Sequence, residues 1–518
     1  MLGDLLQRKP YNAVTDFVDA PVARGLAEKI AFIDLQRSLS YGDLQTRTCR
    51  FAAALADLGL KPEERLALLL YDNVDFPVAF WGALRAGVVA LPLNTLLTAE
   101  QYAYILADTR ARVALVSEPL LPMIEQALGK LDDIEIIVVG ATKPTTHRTL
   151  SLAPQSDSFA TVATHPDEPA FWLYSSGSTG MPKGVRHIHA SLKATADTYA
   201  ATVLRLGPDD VVFSAAKFFF AYGLGNSMTF PMAAGASTVL LPDRPTPDAV
   251  LEMMRRHRPT LFAGVPTLYA ALLAHPELGE GAGSDRLRTC ISAGEPLPEH
   301  VGLRWRDKTG SDILDGIGST EMLHIFLSNR PGDVRYGSTG TAVPGYELRI
   351  VDELGNDVAD GEAGELVVRG PSAADGYWNQ RDKSRRTFRG EWTHTGDTYT
   401  RDGDGYYRYC GRQDDMLKVG GIWVSPFEVE EALIAHPTVL EAAVVGHPDV
   451  DQLIKPKAYV VLQDSALAED RAALCTTLQN AVKDRIGVWK YPRWIEFADA
   501  LPKTATGKIQ RYKLREGL

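Results

Sequence analysis

A chain of 518 residues is longer than one hydrophobic core organises, so two or more domains are expected. Its composition, 45% apolar and 23% charged, is that of a globular protein, and a net charge of -11 argues against a nucleic-acid binder, which carries a basic surplus. No apolar run is long enough to span a bilayer, and the scattered Cys49, Cys290, Cys410 and Cys475 form neither a disulfide framework nor a metal cluster, so buried thiols in a reducing cytoplasm are expected.

The opening MLGDLLQRKPYNAVTDF has no basic flank followed by an apolar core, so no signal peptide is expected. Strands and helices then alternate over residues 25–300. Arg65–Leu70 reads as a buried strand, Val74–Ala86 as the helix after it, and Ala111–Glu118 and the run from Ile134 as further strands. Ala170–Leu173 is another, and the run Pro259–Ala263 leads through Gly264-Val265-Pro266-Thr267 into a helix at Leu268. Such alternation predicts parallel α/β units. From about Asp333 the texture changes to short strands, with turns at Gly355-Asn356, Asp360-Gly361 and Ala363-Gly364. Beyond Arg412 a helix over Glu428–Ala435 and strands over Leu440–Gly446 and Lys457–Leu462 read as an α+β domain. The expected class is α/β: an N-terminal domain, residues 1–412, of α/β subdomains with a small β-rich one, and a smaller C-terminal domain, residues 413–518. The boundary is placed near Gly411–Asp415.

Tyr174–Gly184, YSSGSTGMPKG, follows the strand at Ala170. Glycine lets backbone approach a ligand closely, hydroxyls add donors, and lysine adds a point charge. Composition alone also fits a plain surface loop, but the strand before it, Pro182 and Lys183 favour a polyphosphate cradle. It is not the NTPase P-loop, which requires Gly-Lys followed by Ser or Thr.

YSSGSTGMPKG resembles the signature loop of the adenylate-forming enzymes, which include acyl- and aryl-CoA ligases, adenylation domains of peptide synthetases and beetle luciferases. The resemblance extends over nearly the whole chain. It implies that Ser175, Ser176, Gly177, Ser178, Thr179 and Lys183 hold the phosphates of ATP. Gly294, Glu295 and Pro296 would flank adenine, and Asp315, Gly316 and Ile317 of DGIGSTEM would lie along the adenine and acyl group. Thr320 is implied as a catalytic contact to the nucleotide phosphates and Glu321 as the ligand of Mg²⁺, which favours hard oxygen donors. Asp397, closing THTGD, would accept both ribose hydroxyls, and Arg412 would add a ribose or phosphate contact.

The family's hinge matches Asp414, about which a mobile C-terminal domain rotates, and Lys418, Gly420 and Gly421 would then line the tunnel for the CoA thiol. Lys508, in LPKTATGKIQR, matches the lysine that enters the site during adenylation. An ammonium touching both the carboxylate and the α-phosphate acts most strongly in the transition state. A homodimer, and an acetyltransferase and deacetylase acting on Lys508, are further expectations.

Residues 214–226 read SAAKFFFAYGLGN. Many family members have Phe-His where this chain has Phe219-Phe220, and amino-acid-activating members have an aspartate where it has Ala221. Without that carboxylate an α-ammonium lacks its partner. Phe220, Ala221, Tyr222 and Gly223, with Gly294, Ile317 and His324, are expected to form an apolar pocket whose aromatic face suits a flat ring. Lys217 reads either as an attractor of the substrate carboxylate or as a solvated lysine. The two histidines of Arg186-His187-Ile188-His189 have no third ligand nearby, so exposed or capping roles are expected.

This segment and DGIGSTEMLHIF resemble the benzoate–CoA ligases. That implies an aryl carboxylate substrate, ATP, Mg²⁺ and coenzyme A, an acyl-AMP intermediate, and no nucleic-acid or membrane partner. Two alternatives stay open: a freestanding aryl-acid adenylation enzyme loading a carrier protein, and a medium-chain acyl-CoA ligase.

Overall fold

The structure, a computed structural model, describes residues 10–516 except 130–133, 153–154, 176–181, 420–421, 451–452, 465–469, 489 and 504–508. Contact density divides the chain into two units, Met1–Glu347 with Val368–Thr393, and Leu348–Val367 with His394–Leu518.

Among the described residues the first unit carries two large sheets. The nine-stranded one runs Thr341–Ala342, Ile325–Ser328, Ile313–Gly318, Thr289–Ser292, Leu261–Gly264, Val211–Ser214, Ser237–Val239, Ile30–Ile33, Ser38–Ser40. From Ile313–Gly318 to Ile30–Ile33 every pairing is parallel. Strands Leu261–Gly264 and Thr289–Ser292 are buried at every position, as parallel strands covered on both faces must be. Parallel pairing brings Ser214, Gly264, Ser292 and Gly318 to one edge, so the segments that follow them gather there.

The eight-stranded sheet runs Gly376–Tyr377, Lys183–Ile188, Pro169–Ser175, Val89–Pro92, Arg65–Leu69, Val113–Ser117, Glu135–Val139, Arg148–Thr149. Lys183–Ile188 returns antiparallel on Pro169–Ser175, setting Lys183 opposite Ser175. The strands expected at Arg65, Ala111, Ile134 and Ala170 and the helix expected at Val74, observed as Asp75–Arg85, are all present.

The helix expected at Leu268 begins at Pro266 and spans Pro266–Ala274, because the fixed φ of Pro266 suits a first helical turn. Strand Ile313–Gly318 takes in Asp315-Gly316-Ile317, so only Ser319 onward forms the loop.

The second unit carries a three-stranded sheet, Val439–Pro448, Ile454–Leu462 and Trp494–Phe497. Helices Pro426–Ile434 and Arg471–Ile486 pack in its core through Val429, Leu433, Leu478 and Val482. Ser425 caps the first, accepting Glu428 N. The second helix escapes a sequence reading because it buries only Leu478 and Val482, too narrow a stripe to register as a period. The units divide at Thr393–His394, whereas Gly411–Asp415 lies within the second, where strand Tyr407–Arg412 meets the 3₁₀ turn Gln413–Asp415. Among the described residues no helix is long and apolar enough to cross a membrane. Cys49 and Cys290 are buried, Cys410 and Cys475 half-buried, and all four are free thiols.

Candidate active site

Lys183 opens a strand on the eight-stranded sheet, and Glu321 sits on the turn that leaves the nine-stranded one. Lys183 Nζ lies 2.7 Å from Glu321 Oε1 and donates to the Tyr377 hydroxyl at 3.0 Å. That hydroxyl donates in turn to Glu321 Oε1 at 2.7 Å. The lysine also stands 4.3 Å from the centre of the Tyr377 ring, within cation–π range. Both charged side chains are 15% exposed, a setting in which an unpaired charge would be costly. Burial pushes the Glu321 carboxyl up, but the charge and hydrogen bonds of Lys183 and Tyr377 overcome it and hold the group below the ordinary glutamate value.

Three hydrogen bonds from two segments hold the turn that carries Glu321. His187 Nε2 donates to Thr320 O at 2.7 Å, Ala374 N to Glu321 O at 2.8 Å, and Ser372 Oγ to Met322 O at 2.7 Å. Within the turn Ser319 Oγ accepts Met322 N. His187 and His189 are buried rather than exposed. His187 is fully buried, and His189 Nδ1 accepts Ala13 N. Burial lowers the His187 pKa to about 4, so the ring is neutral at ordinary pH.

Where the acyl pocket is expected, Tyr222 is the second residue of the short helix Ala221–Leu224 and donates to Gly264 O and Ile291 O, each at 3.1 Å. His324 lies against Tyr222, Tyr199 and Phe230, with ring centroids 5.7, 5.3 and 4.4 Å away. Burial lowers its pKa to about 3, and Nε2 donates to Tyr222 O at 3.3 Å. Burial likewise raises the Asp315 carboxyl well above the aspartate range. Ile317 is half-buried on the strand beside it. Phe219 and Phe220 pack on each other at 4.5 Å.

Lys217 serves neither expected role. Its Nζ donates to the carbonyls of Leu241, Pro242 and Asp243, which consumes its donors away from any substrate carboxylate. Gly223 packs against that same residue, because a Cβ there would fall 2.0 Å from Lys217 O. Gly294, Glu295 and Pro296 form the bend after strand Thr289–Ser292, and Ser175 ends its strand.

In the second unit Asp397 and Arg412 are cross-strand partners, joined by a 3.0 Å bond between Arg412 Nη1 and Asp397 Oδ1. Asp414 lies in the turn Gln413–Asp415 and Lys418 in strand Leu417–Val419. Ser176, Gly177, Ser178, Thr179, Gly420, Gly421 and Lys508 lie outside the described residues. The sequence reading missed Tyr377, Ser372 and Ala374. GYW reads as an ordinary strand, and its tie to Glu321 spans 56 positions in the chain.

The site fits Mg²⁺. Glu321 offers an ionised hard-oxygen donor, and Mg²⁺ ordinarily takes one or two carboxylates and completes its shell with phosphate and water.

Residues 20–378 match the AMP-binding enzyme family and residues 428–508 the AMP-binding enzyme C-terminal domain. The chain is 56% identical to a 4-hydroxybenzoate–CoA/benzoate–CoA ligase of Rhodopseudomonas palustris, over 98% of this chain and 94% of that protein. It is 54% identical to a benzoate–CoA ligase of Thauera aromatica, over 98% and 96%. A crystal structure of a benzoate CoA ligase from Burkholderia xenovorans LB400 superposes with a TM-score of 0.90 at 49% identity, covering 98% of this chain and all of that one.

Proposed function

The chain belongs to the AMP-binding enzyme family, and from that premise we propose that it is an ATP-dependent aryl-CoA ligase acting on benzoate. The carboxylate attacks the α-phosphorus of ATP, giving benzoyl-AMP and releasing pyrophosphate. The CoA thiolate then attacks the acyl carbon, and AMP leaves with the electron pair of the mixed anhydride bond. The observation that carries this reading is the meeting of a charged cluster, Lys183–Glu321–Tyr377, with the uncharged aromatic group Tyr222–His324 in one unit.

Lys183 is suited to the phosphates, and Glu321 would hold Mg²⁺, which when bound offsets the charge of the triphosphate. Tyr222, Phe220 and His324 offer flat, neutral surfaces to a ring and no charge partner to an amine. Asp397 and Arg412 are assigned to the ribose, Asp414 to a hinge between residues 1–412 and 413–518, and Lys418, Gly420 and Gly421 to the thiol path, on the strength of the family resemblance. The stretch left between the two family matches, residues 379–427, contains that hinge. On the same basis Lys508 is assigned to the first half-reaction, with acetylation as its off switch.

The test separates the two half-reactions. Lys508→Ala should lower pyrophosphate release by about 10²–10³-fold yet form thioester from supplied benzoyl-AMP at near the normal rate. Equal loss in both steps would sink the lysine's role. A panel of benzoate, 4-hydroxybenzoate, 2-aminobenzoate, cyclohexane carboxylate and hexanoate, scored by CoA-dependent AMP formation, tests the substrate. Preference for hexanoate, or full turnover without CoA, would overturn the benzoate–CoA assignment.

A further inference from the structure

Side chains along strand Lys183–Ile188 alternate, so Lys183, Val185 and His187 share a face. Val185 packs with Ala374 and Tyr377, Lys183 reaches Glu321, and His187 Nε2 lies 2.7 Å from Thr320 O. A carbonyl only accepts, so Nε2 carries the proton. The ring stacks on Phe171, 5.2 Å between centroids and 15° between planes, which fixes its orientation. One strand thus grips two successive residues of the turn, the carbonyl of Thr320 and the carboxylate of Glu321.

That turn needs holding. Leu323 adopts φ +65°, in the left-handed region that a non-glycine residue enters only under strain. Ala374 N and Ser372 Oγ tie the Glu321 and Met322 carbonyls from the far segment, where Tyr346 OH meets Ser372 Oγ at 2.7 Å. Of these three ties, the one from His187 comes from the strand that carries Lys183. It therefore sets the register between the lysine and the carboxylate.

We infer that His187 is a positioning residue for MgATP: its hydrogen bond to Thr320 holds the Glu321 carboxylate against Lys183. The inference rests on the reading that Glu321 serves the nucleotide-bound metal. His187→Phe keeps a flat ring for Phe171 and deletes the donor, whereas His187→Gln keeps a donor near the position of Nε2.

In His187→Phe, calorimetry should find MgATP bound about 10–100-fold more weakly, with pyrophosphate release slowed in proportion. Thioester formation from supplied benzoyl-AMP should stay within about twofold of the parent, and His187→Gln should recover most of the loss. Unchanged MgATP affinity in His187→Phe would overturn the inference, as would equal loss in both half-reactions by the Phe and Gln variants. If His187→Phe does not fold, His187→Asn, whose amide stops short of Nε2, takes its place against Gln with the same outcomes. Glu321→Gln runs in parallel. If it leaves MgATP affinity untouched the metal reading fails, while His187 is still judged by whether Phe and Gln differ in pyrophosphate release.

Discussion

The two sides of the first unit's site solve opposite problems. Around Lys183, Glu321 and Tyr377 the chain keeps charges in a half-buried place, and each is matched by a partner within 3.0 Å. Around Tyr222, Tyr199, Phe230 and His324 it removes charge. The histidine is neutral, burial raises the Asp315 carboxyl well above the aspartate range, and rings supply the contacts. On the proposed reading, charge stays where the ligands are themselves charged, and the neutral surface would face a ring whose only charge is its carboxylate. The two sides should therefore respond differently to mutation.

The largest separation is expected from Glu321→Gln. Pyrophosphate release should fall about 10²-fold or more for every acid in the panel, because an electrostatic contact to the transferring phosphates is lost. The benzoate KM should change little. A variant that lost benzoate affinity as strongly as rate would show that the two sides are not separable.

A smaller effect of the opposite kind is expected at Gly225. A Cβ there would lie 2.4 Å from His324 Cδ2 and 2.9 Å from Phe230 Cζ, so Gly225→Ala must push the histidine aside. Overpacking of this sort costs about 1–3 kcal/mol, seen as a lower Tm. The benzoate KM should rise about tenfold. MgATP affinity, measured by calorimetry, should hold, and a matching fall in it would count against the division.

The smallest effect on turnover is expected at Asp72, where the change is read in stability. Asp72 accepts Phe218 N at 3.1 Å, just before Phe219 and Phe220, and burial raises its carboxyl to about 7 despite Lys217. The folded state then binds a proton more tightly than the unfolded chain between roughly pH 4 and 7, so this group's stabilising contribution is full below that window and is lost as pH rises through it. Asp72→Asn should remove that slope, about 4 kcal/mol at most across the window, leaving a flatter Tm–pH curve than the parent. A parallel curve would refute the assignment.

Much of this was legible in the chain. Short continuous apolar runs such as Leu66–Leu69 and Ala170–Leu173 announce buried strands, because they are too short for a buried helix. Helix Arg381–Thr387 escaped notice, since it buries no residue at all and so leaves no period to detect. Lys183, Glu321, Tyr222 and His324 could be named as candidates because glycine-rich and motif-like surroundings mark them. The histidine pair was misread as exposed or capping. Its partners, Thr320 O for His187 and Ala13 N for His189, lie 133 and 176 positions away in the chain.

By itself the sequence pointed to the class of chemistry, because the motifs that resemble those of the adenylate-forming enzymes are each local in the chain. Tertiary structure alone decided which groups act together. Tyr377 bridges Lys183 and Glu321, His187 braces Thr320, and Lys217 turns away to the carbonyls of residues 241–243. The reason is geometric. Hydrogen bonds are satisfied at about 3 Å in space, and only the packing of two sheets brings residues so distant in the chain within that reach.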